Sequence, residues 1–214
     1  MASSNPHSLT EQATELFLGY CRKRMPEAPG WLGDPRVSRI ASVSEGIAKR
    51  PEGWVDRWDF NAAGLYDSVD AANTALGALD RSDYPLFAYT IVPTRFDPCG
   101  GSVVVTAASL FGSTFVPVQA SSQVKGFRFL GFDAVERWAE LQPGHVDQSA
   151  LGGGFGCSPL SCNNLSHGYD VSANCLLTNW AEARRAAQEF AKPDGAEPGC
   201  YYVFGVYLED AMAS

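Results

Sequence analysis

Histidine is scarce: the chain has three, at positions 7, 145 and 167. So few imidazoles leave general acid–base chemistry and metal ligation very few places to reside. Clustered base is lacking too. Sixteen Lys and Arg stand against 24 Asp and Glu, for a net charge of −8, and the one basic cluster is Arg22-Lys23-Arg24. Phosphate backbones need grouped cations, so no nucleic-acid partner is expected. The longest apolar run, Val103 to Phe111, is too short and too polar to cross a bilayer, so no membrane partner is expected. The first residues carry no basic stretch followed by an apolar one, so no signal peptide and a cytoplasmic location are expected. In that setting the six cysteines are expected to be reduced thiols.

What is present describes a chain that buries a core: 45% hydrophobic, 12% aromatic and 19% charged residues over 214 positions. The acidity is uneven. Before Trp58 there are eight bases and seven acids; from Trp58 onward there are eight bases and seventeen acids. An acidic body suits solubility or a basic protein partner.

Two helices are expected in an N-terminal segment, residues 1–57, packed on an α+β body, residues 58–214, in one domain. Ser8 and Glu11 read as a capping box opening a helix to Arg24, with Leu9, Ala13, Leu16, Phe17 and Tyr20 on one face. Asp34-Pro35 reads as the start of a second, with Val37, Ile40, Ala41, Ser44 and Ile47 on one face. A strand over Val37–Val43 is the alternative.

In the body, Trp58–Tyr66 reads as extended. Asp67 or Ser68 caps a helix showing Val69, Ala72, Leu76 and Leu79, and Leu86–Val92 follows as a strand. That strand is apolar on both sides, which places it centrally. The order recurs: Val171–Leu177 extended, Thr178 or Asn179 as cap, a helix showing Trp180, Ala183, Ala187 and Phe190, then strand Tyr201–Leu208. The helix faces match at one offset of 111 residues (180 − 69, 183 − 72, 187 − 76, 190 − 79). Duplication and the shared helical period both produce such a match. Between the two lie strand candidates Val103–Thr106, Phe115–Gln119 and Phe127–Phe132, and a helix candidate Asp133–Leu141. The fold class expected is α+β: a mixed sheet with helices mainly on one face, containing two similar strand–helix–strand units.

Chemistry is sought first in the glycine- and cysteine-rich stretch Leu151–Cys175, because irregular stretches on a rigid scaffold often carry function. A thiol nucleophile, Cys157 or Cys162, with His167 as base and Asp170 as its orienter, is one arrangement. A zinc site from Cys157, Cys162, His167 and Cys175 is another, but no close Cys pair of the usual spacing is present. Gly152-Gly153-Gly154-Phe155-Gly156 lacks the Lys-Ser/Thr of a phosphate loop. The plain alternative is structural: Gly, Asn163 and Asn164 permit turns, and small Cys and Ser pack closely. Trp54 and Trp58 beside Arg57, together with Asn163 and Asn164, are the binding candidates. No cofactor and no metal are expected. The leading expectation is a non-catalytic protein-interaction or regulatory module with an acidic surface, of the small inhibitor or immunity type. The alternative is a cysteine-dependent hydrolase or transferase using that stretch.

Overall fold

Alternating aromatic and aliphatic residues build one sheet. The computed structural model describes residues 15–44, 47–53, 59–136, 156, 158–195 and 199–210. Its strands are β1 (Leu16–Arg22), β2 (Leu86–Phe96), β3 (Ser102–Val104), β4 (Val118–Gln119), β5 (Phe127–Glu136) and β6 (Tyr201–Glu209). They lie in the order β4-β1-β2-β6-β5, with β3 also pairing to β2. Every strand pair is antiparallel. β2 and β6 sit in the middle and are buried on both faces over most of their length. The faces of β6 serve different clusters. Tyr201 and Val203 join Ala183, Ala187 and Phe190, while Tyr202, Phe204 and Val206 join Phe87, Tyr89 and Ile91.

The helices are α1 (Val69–Leu76), α2 (Ala107–Phe111), α3 (Ala120–Gln123), α4 (Pro159–Cys162) and α5 (Trp180–Phe190). α1 packs on β1, and α5 on β5 and β6. Each begins on a side-chain cap: Ser68 accepts from Ala71 N at 3.1 Å, and Asn179 from Glu182 N at 3.0 Å. Burial then holds them. Phe190 is 2% exposed, worth roughly 2 kcal/mol of apolar transfer.

β1 and β5 share a local design. Phe17-Leu18-Gly19-Tyr20 and Phe129-Leu130-Gly131-Phe132 each hold a register shift just before the glycine. Gly19 has φ +145° and Gly131 +144°, conformations that side chains disfavour. A Cβ on Gly19 would lie 2.6 Å from Leu65 Cβ, and one on Gly131 2.7 Å from Leu176 Cβ. The next residue pairs reciprocally with the neighbouring corner: Tyr20 with Tyr66 at 2.8 and 2.9 Å, Phe132 with Leu177 at 2.8 Å both ways. The corners themselves correspond. Asn61 N donates to Leu65 O and Ser172 N to Leu176 O, and Gly64 (φ 72°) and Cys175 (φ 60°) hold the left-handed position.

Several expectations stand and several are corrected. The α+β class, the Ser68 and Asn179 caps, both capped helices, and strands β2 and β6 stand, with β2 running on to Phe96. The sheet is antiparallel among the described residues, not mixed. Leu16–Arg22 is a strand, not the second half of a helix; Gly19 disfavours a helix, and pairing with β2 overrides the spacing of Leu16, Phe17 and Tyr20. No helix begins at Pro35. Asp34 turns back onto Arg36, and the chain beyond bonds to neighbouring backbone, with Ser38 N and Arg39 N on Ala173 O and Ala41 N on Asn174 O. Residues 59–65 form turns rather than an extended run. Asp133–Glu136 continues β5 instead of opening a helix, because β6 supplies its ladder. Phe115–Pro117 stays outside β4.

Candidate functional site

Cys157, Trp54 and Trp58 lie outside the described residues. So do residues 151–155, the glycine run included, and the described part of the glycine- and cysteine-rich stretch, 156 and 158–175, is tied into structure. Cys162 ends α4 and is disulfide-bonded, which corrects the expectation of a reduced thiol there and leaves no thiolate to attack with. Asn163 closes α4 by donating its N–H to Pro159 O at 3.2 Å, and Asn164 takes the left-handed φ of 57°. Asp170 accepts from Thr178 Oγ1 at 2.5 Å, at the approach to α5. Cys175 is buried, and burial pushes its thiol up to about 12, so it stays protonated at neutral pH.

His167 sits in a 3-10 turn, Ser166–Gly168, and is half exposed. Its Nε2 is 3.1 Å from the Leu32 carbonyl, an acceptor only, so that nitrogen carries the proton and donates. Its Nδ1 is 4.0 Å from Asp34 Oδ2. The carboxylate beside His167 is therefore Asp34, read from the sequence as a helix cap, and not Asp170. Among the described residues no group of three or more His, Cys, Asp or Glu is placed to hold a metal ion.

Asp34 is buried and receives three bonds from Arg36, through N at 3.1 Å, Nε at 3.0 Å and Nη2 at 2.7 Å. Arg36 also donates to Tyr169 O and Ser166 O, joining this corner to the stretch after α4. The Arg36 bonds hold the Asp34 carboxyl well below its usual range. A depressed folded-state value adds stability above the unfolded carboxyl value of about 3.9, and that stability is lost as pH falls below it. We expect the wild type to exceed Asp34→Asn in urea midpoint at pH 7, with the gap closing toward pH 2. A gap unchanged with pH would contradict the assignment.

A second charged group lies under the sheet. Lys23, 1% exposed, donates to the carbonyls of Ser42 (2.8 Å), Val43 (2.9 Å) and Ser44 (3.0 Å). Asp133, 0% exposed, accepts from Ser42 Oγ and Ser158 Oγ at 2.6 Å each and from Val43 N at 3.0 Å. Burial pushes the Asp133 carboxyl up, while Ser158, Ser42, Val43 and the Lys23 charge pull it down. The donors and acceptors are used within the protein, so this group fixes segment 42–44 rather than presenting a reactive atom.

One open cleft of about 500 Å³ lies along the outer edge of β1. That edge is covered by β4 at Leu16 and Phe17 and by Tyr66 at Tyr20, and the cleft falls between them. Phe17, Leu18, Phe115, Val116 and Val118 give it apolar walls; Asn61, Asp67, Thr114 and Gln123 give it polar ones. Asn61 is rigid: it donates to Leu18 O at 2.9 Å and to Asp67 Oδ1 at 2.8 Å, and accepts from Ala63 N and Leu65 N. Asp67 is thereby aimed and remains exposed. Val116 is 77% exposed and Val104, on neighbouring β3, is 81% exposed. The lining residues come from distant parts of the chain, so no local motif announces the cleft.

No protein-family model, curated protein or solved structure matches this chain. Among the described residues, no helix is long and apolar enough to cross a membrane.

Proposed function

We propose that this protein is a non-catalytic interaction module that grips another protein through the β1-edge cleft. The observation that carries the reading is the cleft itself: apolar walls, a fixed Asp67 carboxylate and a solvent-facing Val116 side by side. Exposed aliphatic side chains rimmed by polar groups are what a partner surface covers. The Asp67 carboxylate and the net charge of −8 favour a partner that offers a cation next to an apolar residue. A small inhibitor or immunity-type protein belongs to this class. Nucleic acid remains disfavoured by the charge balance, and a cytoplasmic setting remains the proposal despite the disulfide at Cys162.

We also infer that the chain is built from two similar strand–helix–strand units, β1-α1-β2 and β5-α5-β6. The matched bulge glycines, left-handed corner residues and helix caps support this.

Val116→Asp tests the cleft. The side chain is exposed, so the fold is expected to keep its denaturation midpoint. A host protein retained by the wild type, and forming a complex from purified components, is expected to bind the variant about tenfold or more weakly. Equal affinity for both forms would remove the cleft from the interface.

A further inference from the structure

We propose that the outer edge of β5 at Arg128–Phe129 is a strand-addition site, taking an extended partner segment as β1 takes β4. The argument is geometric equivalence. Just outside its bulge, β1 pairs Leu16 with Gln119 and Phe17 with Val118. The same positions on β5, one step before the Leu-Gly bulge, are Arg128 and Phe129. Among the described residues β5 pairs with β6, further backbone bonds reach it from Leu177 at Phe132 and from Gly156 at Glu136, and none falls at Arg128 or Phe129. Covered by β4, Phe17 is 7% exposed; Phe129 is 40% exposed. An edge with no partner strand presents N–H and C=O groups that an added strand satisfies, and pockets beside it read alternate side chains.

The edge also defines its occupant. Phe129 packs with Phe132 at 4.9 Å and Tyr207 at 5.0 Å, an aromatic floor suited to the β-branched residue that Val118 supplies on β1. Opposite Leu16 the β4 residue is neutral Gln119, but the equivalent of Leu16 is Arg128. Its guanidinium is 63% exposed and only loosely paired with Asp210, at 3.8 Å. The expected partner is therefore an extended, antiparallel segment with a β-branched apolar residue beside Phe129 and a carboxylate beside Arg128.

The probe is a synthetic peptide with the sequence of residues 114–121, Thr-Phe-Val-Pro-Val-Gln-Ala-Ser, and a second copy carrying the Gln119→Glu change. Each is titrated into the full chain and followed by backbone amide NMR. Saturable shifts at Arg128, Phe129 and Leu130 are expected. The glutamate copy should bind about threefold more tightly at low salt. Phe129→Asp should weaken binding about tenfold. Peptide N-methylated at its ladder-donating residues should not bind, a control that needs no protein variant. Three results would overturn the proposal: no saturation at millimolar peptide, shifts confined to Leu16 and Phe17, or self-association of the chain through β5. The site does not depend on the cleft: Val116→Asp should leave peptide binding at Phe129 unchanged, so either proposal can fail alone.

Discussion

Asp133→Ala is expected to cost about 3–5 kcal/mol, because it leaves three buried donors without their acceptor. In the wild type Asp133 accepts from Ser42, Ser158 and Val43, and its charge faces that of Lys23. Without it, two buried hydroxyls and a buried N–H lose their acceptor. A domain is held by roughly 5–15 kcal/mol, so the variant should be close to unfolded at 37 °C. Asp133→Asn should lose less, since one oxygen can still accept. Urea unfolding of both variants measures this. A loss below about 1 kcal/mol for the alanine form would show that the network is dispensable.

The second large effect is at the bulges. Gly131→Ala would place a methyl group 2.7 Å from Leu176 Cβ and 2.8 Å from Leu177 O, at φ +144°. Overpacking costs about 1–3 kcal/mol and the backbone strain a similar amount, so a loss of roughly 2–6 kcal/mol is expected. Gly19→Ala meets Leu65 Cβ at 2.6 Å and Tyr66 O at 2.8 Å and should lose a similar amount. Gly101→Ala, with nothing within 4 Å, is the control and should be nearly neutral. Thermal unfolding of the three variants decides the matter. A harmless Gly131→Ala would mean that the bulge opens at little cost.

How much could be read from the residues alone depended on where the information sits. Leu86–Val92, Trp180–Phe190 and Tyr201–Leu208 were legible because their hydrophobic period agrees with their tertiary setting. β1 was not, because Leu16, Phe17 and Tyr20 fit a helical face as well as a bulged strand. Only Gly19 argues otherwise locally. The paired Phe-Leu-Gly-Tyr and Phe-Leu-Gly-Phe segments were a usable signal that the helical reading of the first one concealed. Strand direction was hidden because the connections from β1 to β2 and from β5 to β6 are long enough for either sense. Attention to Leu151–Cys175 singled out Cys162, Asn163 and Asp170, which are taken up by a disulfide, a capping turn and a bond from Thr178. The cleft needed coordinates, since Phe17, Asn61, Asp67 and Val116 meet only in the folded chain.

The strap formed by residues 42–44 has a consequence for how the molecule comes apart. One end of its clamp, Lys23, follows β1, and the other, Asp133, belongs to β5. Cut between β4 and β5, the Asp133 carboxylate would be parted from the Ser42 and Val43 donors that satisfy it. The strap therefore ties the two ends of the sheet to one another, and the whole chain should melt in one concerted transition.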